Sequence, residues 1–596
     1  MVTLGSTHLD SEKQQLNMLD FQQILAEYYP DFVRRRKRTA RIIGKFLGFL
    51  FFQSRFEQFE REYPNLTGFD FVDAVLRFFD FHIRLRELDR SHIPASGRVV
   101  IIANHPIGSL DGIALLNLVG QVRSDVKVVA NQMLMTLEPL HPVMLPVDNM
   151  GGMTARQNLL NIRKHMEAEG ALIIFPAGEV SRFGAKGVRD GVWNSGFIKI
   201  ASATKSPILP IFVKGRNSIF FYSLSFLVKP LSTAWLIREM FKQSHNTIDA
   251  RVGRPIPHEV YTANDFSAKN LAKMFKKHVY RLGRGGKPIF KSVETVAPPE
   301  SRVLLKAELE QCEHLGTTPD GKEIYVASME QSPCIMREIG QLREMTFRLV
   351  GEGSGKPRDI DKYDRHYDQL VLWDGNDLEI VGAYRLGDAR AIVKTQGLDG
   401  LYTPSLFDFG PTMRGYLDHA LELGRSFVQP KYQTRHALDY LWFGIGAYVK
   451  RKPHIRYLFG PASISRLYGK DAIGRIAYFY STHFNAIPLD VSPCQPFVIE
   501  AETRQALASE FQGIDVEEDF KALRDTLAES GLPIPILYKH YSQATDHTGV
   551  TFTAFNIDPD FGDCVDGFVF ADLTKLKPRK MKRYLGEEWL HGNGLT

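Results

Sequence analysis

From residue 97 to 260, short apolar runs alternate with amphipathic stretches. VVIIAN, VKVVAN, VMLPVD, ALIIFPAG and ILPIFVKG are aliphatic runs that stop at turn-forming residues, and they read as strands. GIALLNLVG and ARQNLLNIRKHMEAEG place apolar residues at helical spacing. This alternation predicts an α/β layer structure around a mostly parallel sheet. The preceding segment FQQILAEYYPDFVRRRKRTARIIGKFLGFLFFQ has apolar residues at mixed three and four spacing, interrupted at Pro30, and predicts helices. At 283–300 the text becomes GRGGKPIFKSVETVAPPE, where Gly, Pro and charge mark a linker. The rhythm then restarts with EIYVASM, the helical MREIGQLREMTFRLV, QLVLWDG, LEIVGAYRLG and LELGRSFVQ. The pattern predicts an α/β protein of two domains. Residues 1–90 form a helical region, 91–285 an α/β domain, 286–300 a linker, and 301–596 a second α/β domain.

Length agrees with this division, because 596 residues exceed what one core supports. Apolar residues are 44% and charged residues 24%, the balance of a folded chain with ample core. Cys312, Cys334, Cys494 and Cys564 lie far apart with no CxxC, which argues against a local zinc site and fits a reducing compartment. A net charge of +6 is small for this length, and no nucleic-acid motif is present. The N-terminus lacks the basic-then-apolar pattern of a signal peptide.

No run reaches the roughly 18 apolar residues that predict a membrane span. Two stretches come near, RRRKRTARIIGKFLGFLFFQSRF (34–56) and SIFFYSLSFLVKPLSTAWLIREMF (218–241). Apolar and aromatic residues interleaved with Arg and Lys predict contact with a membrane interface rather than a crossing; a core helix with a basic flank is the other reading.

Within the first α/β pattern, the strand VVIIA delivers Asn104 and His105 to a glycine-containing turn, and Asp111 follows six residues after the histidine. Acylating a hydroxyl needs a base that takes the acceptor's proton near neutral pH, which suits histidine. A carboxylate on the other ring nitrogen orients the imidazole and stabilises its charged form. A carboxylate near a helix start is also common without any chemistry. Downstream, the strand ALIIF ends in Pro-Ala-Gly-Glu and then Val-Ser-Arg, where backbone N–H groups and Arg182 could hold an anion.

The order of these blocks resembles the glycerolipid acyltransferase superfamily. NHPIGSLD, LPVDN (145–149), FPAGEVSR and ILPIFVKG stand where that superfamily has Asn-His-x4-Asp, a middle block, Phe-Pro-Glu-Gly-Thr-Arg-Ser and a proline-containing strand. Five residues rather than four separate His105 from Asp111, and Glu179 follows Gly178 instead of preceding it. The variant resembles the hemolysin-like branch, which contains O-acyltransferases of bacterial amino-acid lipids. The resemblance implies His105 as base, Asp111 as its orienter, and Glu179, Ser181 and Arg182 as acceptor-site residues.

In the second half, Glu422 and Arg425 are three apart, adjacent on a helix or reachable across a strand end. QLREMTFRLV, DKYD, VGAYRLG, ELGRSFV, LFGPASIS and FNIDPDFGDCVDGFVFADL together resemble GNAT-type acyltransferases related to acyl-homoserine lactone synthases, and among these the ornithine lipid N-acyltransferases. Matching positions are Arg343, Phe347, Asp361, Asp364, Arg385, Glu422 and Arg425. The resemblance implies Glu422 as the base, Asp361 and Asp364 on a cationic amino acid, and Arg343 or Arg385 on its carboxylate. The lactone synthases' tryptophan after the Phe is absent, which points away from S-adenosylmethionine and toward a free amino acid. Lys431, Arg435, Lys450, Arg451, Lys452 and Arg456 form either a docking face for an acidic acyl carrier protein or a solvated surface.

Both halves together resemble the bifunctional ornithine lipid synthases. That implies N-acylation of ornithine with a 3-hydroxyacyl group, followed by O-acylation of the lyso-ornithine lipid. The donors are thioesters of acyl carrier protein or coenzyme A, with no bound cofactor or metal. The place of action is peripheral, on the cytoplasmic face of a bacterial inner membrane. Other readings are lysine or glutamine as acceptor, a lysophospholipid O-acyltransferase fused to a different N-acyl amino acid synthase, and a non-catalytic membrane-binding protein.

Overall fold

The computed structural model describes residues 34–50, 52–130, 135, 137–147, 153–184, 187–222, 229–263, 266–433, 436–586 and 589. Pro30, Asp148, Asn149 and Arg435 lie outside the described residues. The chain divides into two compact units between Thr295 and Val296.

The first unit is built on seven strands: β1 (His82–Arg84), β2 (Val99–Ala103), β3 (Val126–Ala130), β4 (Met144–Pro146), β5 (Ala171–Ile174), β8 (Ile208–Lys214) and β9 (Thr247–Val252). Between them, β6 (Arg182–Gly184) and β7 (Gly187–Arg189) form a separate hairpin. The sheet order is β1-β9-β8-β2-β5-β3-β4, parallel except for the β8–β9 pair. β2 is central and wholly buried, which is why VVIIA is continuously apolar instead of alternating. Val99, Ile101 and Ala103 join one core with Phe71, Leu115 and Val119, while Val100 and Ile102 join another with Phe197, Phe275 and Val279. Those partners come from α3 (Gly68–Phe79) and α4 (Ser109–Gly120) on one face. On the other face they come from α6 (Gly196–Ala203) and α8 (Ala268–Leu282), with α5 (Met153–Glu167) adding Ile162 and Met166.

The two apolar stretches flagged in the sequence meet each other. The first forms α1 (Lys37–Leu50) and the start of α2 (Gln53–Glu62), broken at Phe52, which has φ 56°. The second ends in α7 (Lys229–Lys242). Phe52 packs tilted and Phe56 edge-on against Phe241, at 4.7 and 5.3 Å, and the Arg238 guanidinium lies 5.4 Å from the Phe52 ring. Among the described residues no helix is long and apolar enough to cross a membrane. Ile42, Phe49 and Phe220 remain exposed.

Residues 286–301 carry no helix or strand, as the Gly/Pro-rich text predicts, yet they are bound down. Phe290 stacks on Phe275 at 4.3 Å, and Thr295 Oγ1 donates to the His92 carbonyl. Ala297 N–H already bonds to Pro357 of the second unit.

The second unit holds an eight-stranded sheet: β10 (Glu313–Thr317), β11 (Glu323–Ser328), β12 (Asp368–Asp374), β13 (Glu379–Asp388), β15 (Ala420–Val428), β16 (Tyr457–Ile464), β19 (Cys564–Asp572) and β18 (Val550–Asp558), in that order. β14 (Phe407–Phe409) and β17 (Val491–Pro493) pair separately. Every neighbour in the large sheet is antiparallel except β15 and β16, which run parallel for three residue pairs ending at Glu422–Phe459. Beyond that point β15 follows β13 and β16 follows β19, so the sheet opens into a cleft. Gly460 sits where the strands part. It has φ +157°, and a Cβ there would lie 2.1 Å from the Leu423 carbonyl oxygen, so only glycine allows the approach. Helix α9 (Pro333–Leu349) covers one face through Ile335, Ile339 and Leu342. α10 (Ala437–Arg451) and α11 (Lys470–His483) cover the other through Leu441, Ile445 and Phe479.

Candidate active sites

β2 ends where Asn104 takes over its pairing. The Asn104 side chain donates to the Val213 carbonyl (2.8 Å) and accepts from Val213 N–H (2.7 Å), a side-chain copy of a ladder step. This frees the backbone to turn at His105. The turn passes through Gly108 at φ +121°, a conformation side chains resist. Asp111 follows as the third residue of α4 and is fully buried. Its carboxylate accepts from Ile107 N–H (2.8 Å) and Gly108 N–H (3.2 Å), and lies 2.9 Å from His105 Nδ1. One group therefore closes the loop, caps the helix and faces the imidazole. The extra residue between His105 and Asp111 is taken up by the Gly108 turn.

His105 is surrounded but open on one side, with 20% of its side chain exposed. Its ring lies 4.2 Å from that of Phe175. Burial opposes the imidazolium, but the charge and contact of Asp111, aided by Asp190, outweigh it and hold the pKa above the ordinary histidine value. With Nδ1 turned to Asp111, Nε2 is the nitrogen left to take a proton.

The FPAGEVSR loop docks beside this pair. Ser181 N–H donates to the His105 carbonyl at 2.7 Å. The Ser181 hydroxyl is buried and donates to Asp190 Oδ1 at 2.5 Å, so it holds the loop together instead of facing an acceptor as expected. Asp190, which no motif marked, also accepts from His105 N–H (3.2 Å) and Trp193 Nε1 (2.8 Å). Glu179 is half-buried, 3.7 Å from the Arg182 guanidinium, and Arg182 lies over the Phe221 ring at 5.3 Å. The second apolar stretch thus reaches the site. Asn217 Nδ2 donates to the Ile107 carbonyl, and Val180, Phe221 and Tyr222 form a small core with Leu236 packed on it.

In the second unit the matched residues form two groups. Arg343 is fully buried, donating to Asp364 Oδ1 (2.9 Å) and Gln369 Oε1 (2.6 Å). Arg385 grips both oxygens of Asp361 at 2.7 and 2.8 Å, and Arg425 pairs with Asp359 at 3.0 Å. Two neighbouring guanidinium charges, Arg343 and Arg385, overcome burial and hold the Asp364 carboxyl far below its usual range. These pairs correct the expectation for substrate binding. Asp361 and Asp364 are committed to arginines, and Arg343 and Arg385 to carboxylates. Phe347 is also buried and acts at one remove, packing edge-on against Phe561 (5.0 Å), over which Arg425 lies at 4.6 Å.

Glu422 and Arg425 are on strand β15, not on a helix. Both Glu422 oxygens are occupied. The Tyr367 hydroxyl, Tyr402 N–H, Thr403 N–H and the Thr403 hydroxyl all donate to it. It ties the 402–403 turn to the mouth of the cleft and leaves no oxygen turned to an amine, contrary to its expected part as base.

Among the described residues, three further carboxylates near Arg425 form no ion pair with an arginine. Asp566 accepts from the Ser463 hydroxyl at 2.6 Å, and burial and neighbouring Asp558 push its pKa up to about 7. Glu352, pushed up to about 8 by burial and by Asp566, and Asp558 complete the group, which shares the field of Arg425. Asp558 and Asp566 belong to the FNIDPDFGDCVDG stretch, but nothing in their spacing separates them from turn-forming aspartates.

The basic run that reads as either a docking face or a solvated surface is largely neutralised. Lys431 pairs with Asp377 (3.2 Å) and Glu379 (2.5 Å), Lys452 with Asp388 (3.2 Å), and Arg451 with Glu313. The described part of this run reads as a solvated ion-pair surface.

Comparison with known proteins places both halves. Residues 23–285 match the model of an acyltransferase family, and residues 342–443 match that of the acetyltransferase (GNAT) domain. The chain is 34% identical over 307 residues to a glycine N(alpha)-acyltransferase of Phocaeicola vulgatus, covering 49% of this chain and 93% of that protein. It is 28% identical to a lyso-glycine lipid O-acyltransferase of the same organism, covering 42% of this chain and 90% of that one. An L-ornithine N(alpha)-acyltransferase of Agrobacterium fabrum is 34% identical over 113 residues, 18% of this chain and 38% of its own. The chain therefore belongs to the acyltransferases, with an N-terminal half of the family that includes lyso-lipid O-acyltransferases and a C-terminal GNAT half related to amino-acid N-acyltransferases, the two-part architecture of a bifunctional ornithine lipid synthase.

Proposed function

We propose that this chain makes an amino-acid lipid in two acyl transfers. The second unit transfers a 3-hydroxyacyl group from a thioester, on acyl carrier protein, to the α-amine of ornithine. Asp566 takes the proton of the attacking amine, the new C–N bond forms as the C–S bond breaks, and Asp566 returns the proton to the departing thiolate, which leaves as the free thiol. The first unit then esterifies the 3-hydroxyl. His105 Nε2 takes the hydroxyl proton, the oxygen attacks a second thioester, and the imidazolium returns the proton to the leaving thiolate. The observation that carries this reading is the His105–Asp111 pair, 2.9 Å apart on the loop after β2, with Val180 and Leu236 of a small apolar cluster close to Gly108 of that loop. A long-chain intermediate and exposed apolar residues such as Phe49 and Phe220 support work at a membrane surface.

Ornithine is favoured over a neutral acceptor by Glu352 and Asp558, which form no arginine ion pair among the described residues, feel only the field of Arg425, and suit a second ammonium group beside Asp566. Glycine is the second reading, favoured by the glycine N(alpha)-acyltransferase relative that the chain covers over 93% of its length. Expression in a bacterial host without amino-acid lipids, with mass spectrometry of total lipid, separates the two by headgroup mass. A host lipid profile without any new phosphorus-free lipid contradicts both.

A further inference from the structure

On the first unit, α8 presents a row of cations. Lys273, Lys276, Lys277, Arg281 and Arg284 line a depression of ≈ 660 Å³ with Arg189 and Tyr280. Lys273, Lys276, Lys277 and Arg281 lie on the helix face opposite the buried Ala272, Phe275 and Val279, and Arg284 follows just past the helix end. Among the described residues, none of the six cations forms a salt bridge with a carboxylate, unlike Lys431, Arg451 and Lys452 of the second unit. Burial and the neighbouring Arg189 lower the pKa of Lys276, with Asp190 opposing them, so an anion arriving here relieves an existing strain among charges.

The depression backs directly onto the reaction loop. Lys276 Nζ donates to the carbonyls of Asp190 (2.7 Å) and Gly191 (2.5 Å), and the Tyr280 hydroxyl accepts from Asp190 N–H (2.8 Å). The carboxylate of the same Asp190 turns inward to Ser181 and to His105 N–H. One residue thus separates the cationic hollow from the histidine. The hollow has the volume of a small-molecule site, and Tyr280 is its one aromatic lining residue, without exposed aliphatic side chains of the kind that enter lipid.

Resting on the O-acylation reading above, we propose that this depression binds the phosphate groups of a coenzyme A thioester, the acyl donor of the N-terminal site. The concave shape and a charge of six cations fit a nucleotide bearing several phosphates, with the pantetheine arm left to reach His105. An acidic carrier protein and an anionic membrane are the rival occupants, and the test separates them.

The full-length chain is compared with the K273E/K277E/R281E variant and its milder K273Q/K277Q/R281Q form, neither of which touches the Lys276 and Tyr280 contacts to Asp190. The expected result is a rise of about tenfold or more in KM for palmitoyl-CoA, with KM for the lyso-lipid and kcat within about twofold. N-acylation by the second unit stays unchanged and reports that the variant is folded. Free coenzyme A, titrated calorimetrically, binds the unaltered chain and loses affinity in both variants. An unchanged palmitoyl-CoA KM overturns the proposal. So does a KM increase confined to palmitoyl-acyl carrier protein, or a loss confined to binding of phosphatidylglycerol vesicles. Coenzyme A binding without any O-acyl transfer would leave the pocket standing and sink the O-acylation reading.

Discussion

Asp111 Oδ1 lies 2.9 Å from His105 Nδ1, while the two oxygens of the same carboxylate hold the Ile107 and Gly108 N–H groups. One buried charge therefore sets both the shape of the loop and the basicity of its histidine. Asp111→Asn keeps a hydrogen-bonding group but removes the charge. Burial then dominates and the His105 pKa falls. The O-acylation rate, which rises with pH as His105 loses its proton, should shift its rising limb to lower pH. Its plateau should drop by roughly 10²–10⁴, the usual span of general-base catalysis. A pH–rate profile on supplied lyso-lipid reads both effects. An unmoved limb removes the pair from the mechanism.

Asn104→Ala tests the ladder step that releases His105. It strands Val213 N–H and C=O in a buried setting, at about 1–3 kcal/mol for each group left unsatisfied. Thermal unfolding should show the transition of the first unit lowered and that of the second unmoved. Equal shifts of both transitions would contradict the placement of this contact.

The two units differ in how legible they were. Strand–helix alternation in the first reflects a sheet buried on both faces, so VVIIA and ALIIF announced themselves as apolar runs. The His105–Asp111 pair was legible because both residues sit within one loop. Asp190 was not, because it reaches the site through tertiary folding from a segment with no motif. In the second unit, Arg343, Asp361, Asp364, Arg385 and Glu422 stood out as charged residues in the right order. The Arg343–Asp364 and Arg385–Asp361 pairs bring a helix, a turn and a strand together through tertiary folding, which spacing does not reveal. Charges read as substrate ligands were scaffold, and Asp558 and Asp566 looked like turn residues.

Arg343→Leu leaves the buried Asp364 with a single long guanidinium contact, to Arg385 at 3.5 Å, beside its neutral donors Asp361 N–H (2.9 Å) and Gln369 Nε2 (3.2 Å). Breaking such a pair costs about 3–5 kcal/mol. N-acylation should be lost through unfolding of the second unit, while O-acylation of supplied lyso-lipid persists. A folded second unit that lacks activity would instead place Arg343 on the substrate.

Asp566 carries the pH prediction for N-acylation. Its pKa, pushed up to about 7, means the carboxylate form needed to accept a proton grows in as pH rises through that value. The N-acylation rate should rise with a midpoint near about 7, and Asp566→Asn should remove the limb and most of kcat. Glu422→Gln should act through stability, lowering the unfolding midpoint without moving the limb. The reverse outcome would restore Glu422 as the base.

The central claim is that one chain performs both transfers, with His105 serving only the second. Total lipid from a host without amino-acid lipids, expressing either the unaltered chain or His105→Ala, is resolved by mass spectrometry. The account predicts a diacyl amino-acid lipid from the former, and from the latter its loss with build-up of the mono-acyl 3-hydroxy form. Undiminished diacyl lipid from His105→Ala would contradict it.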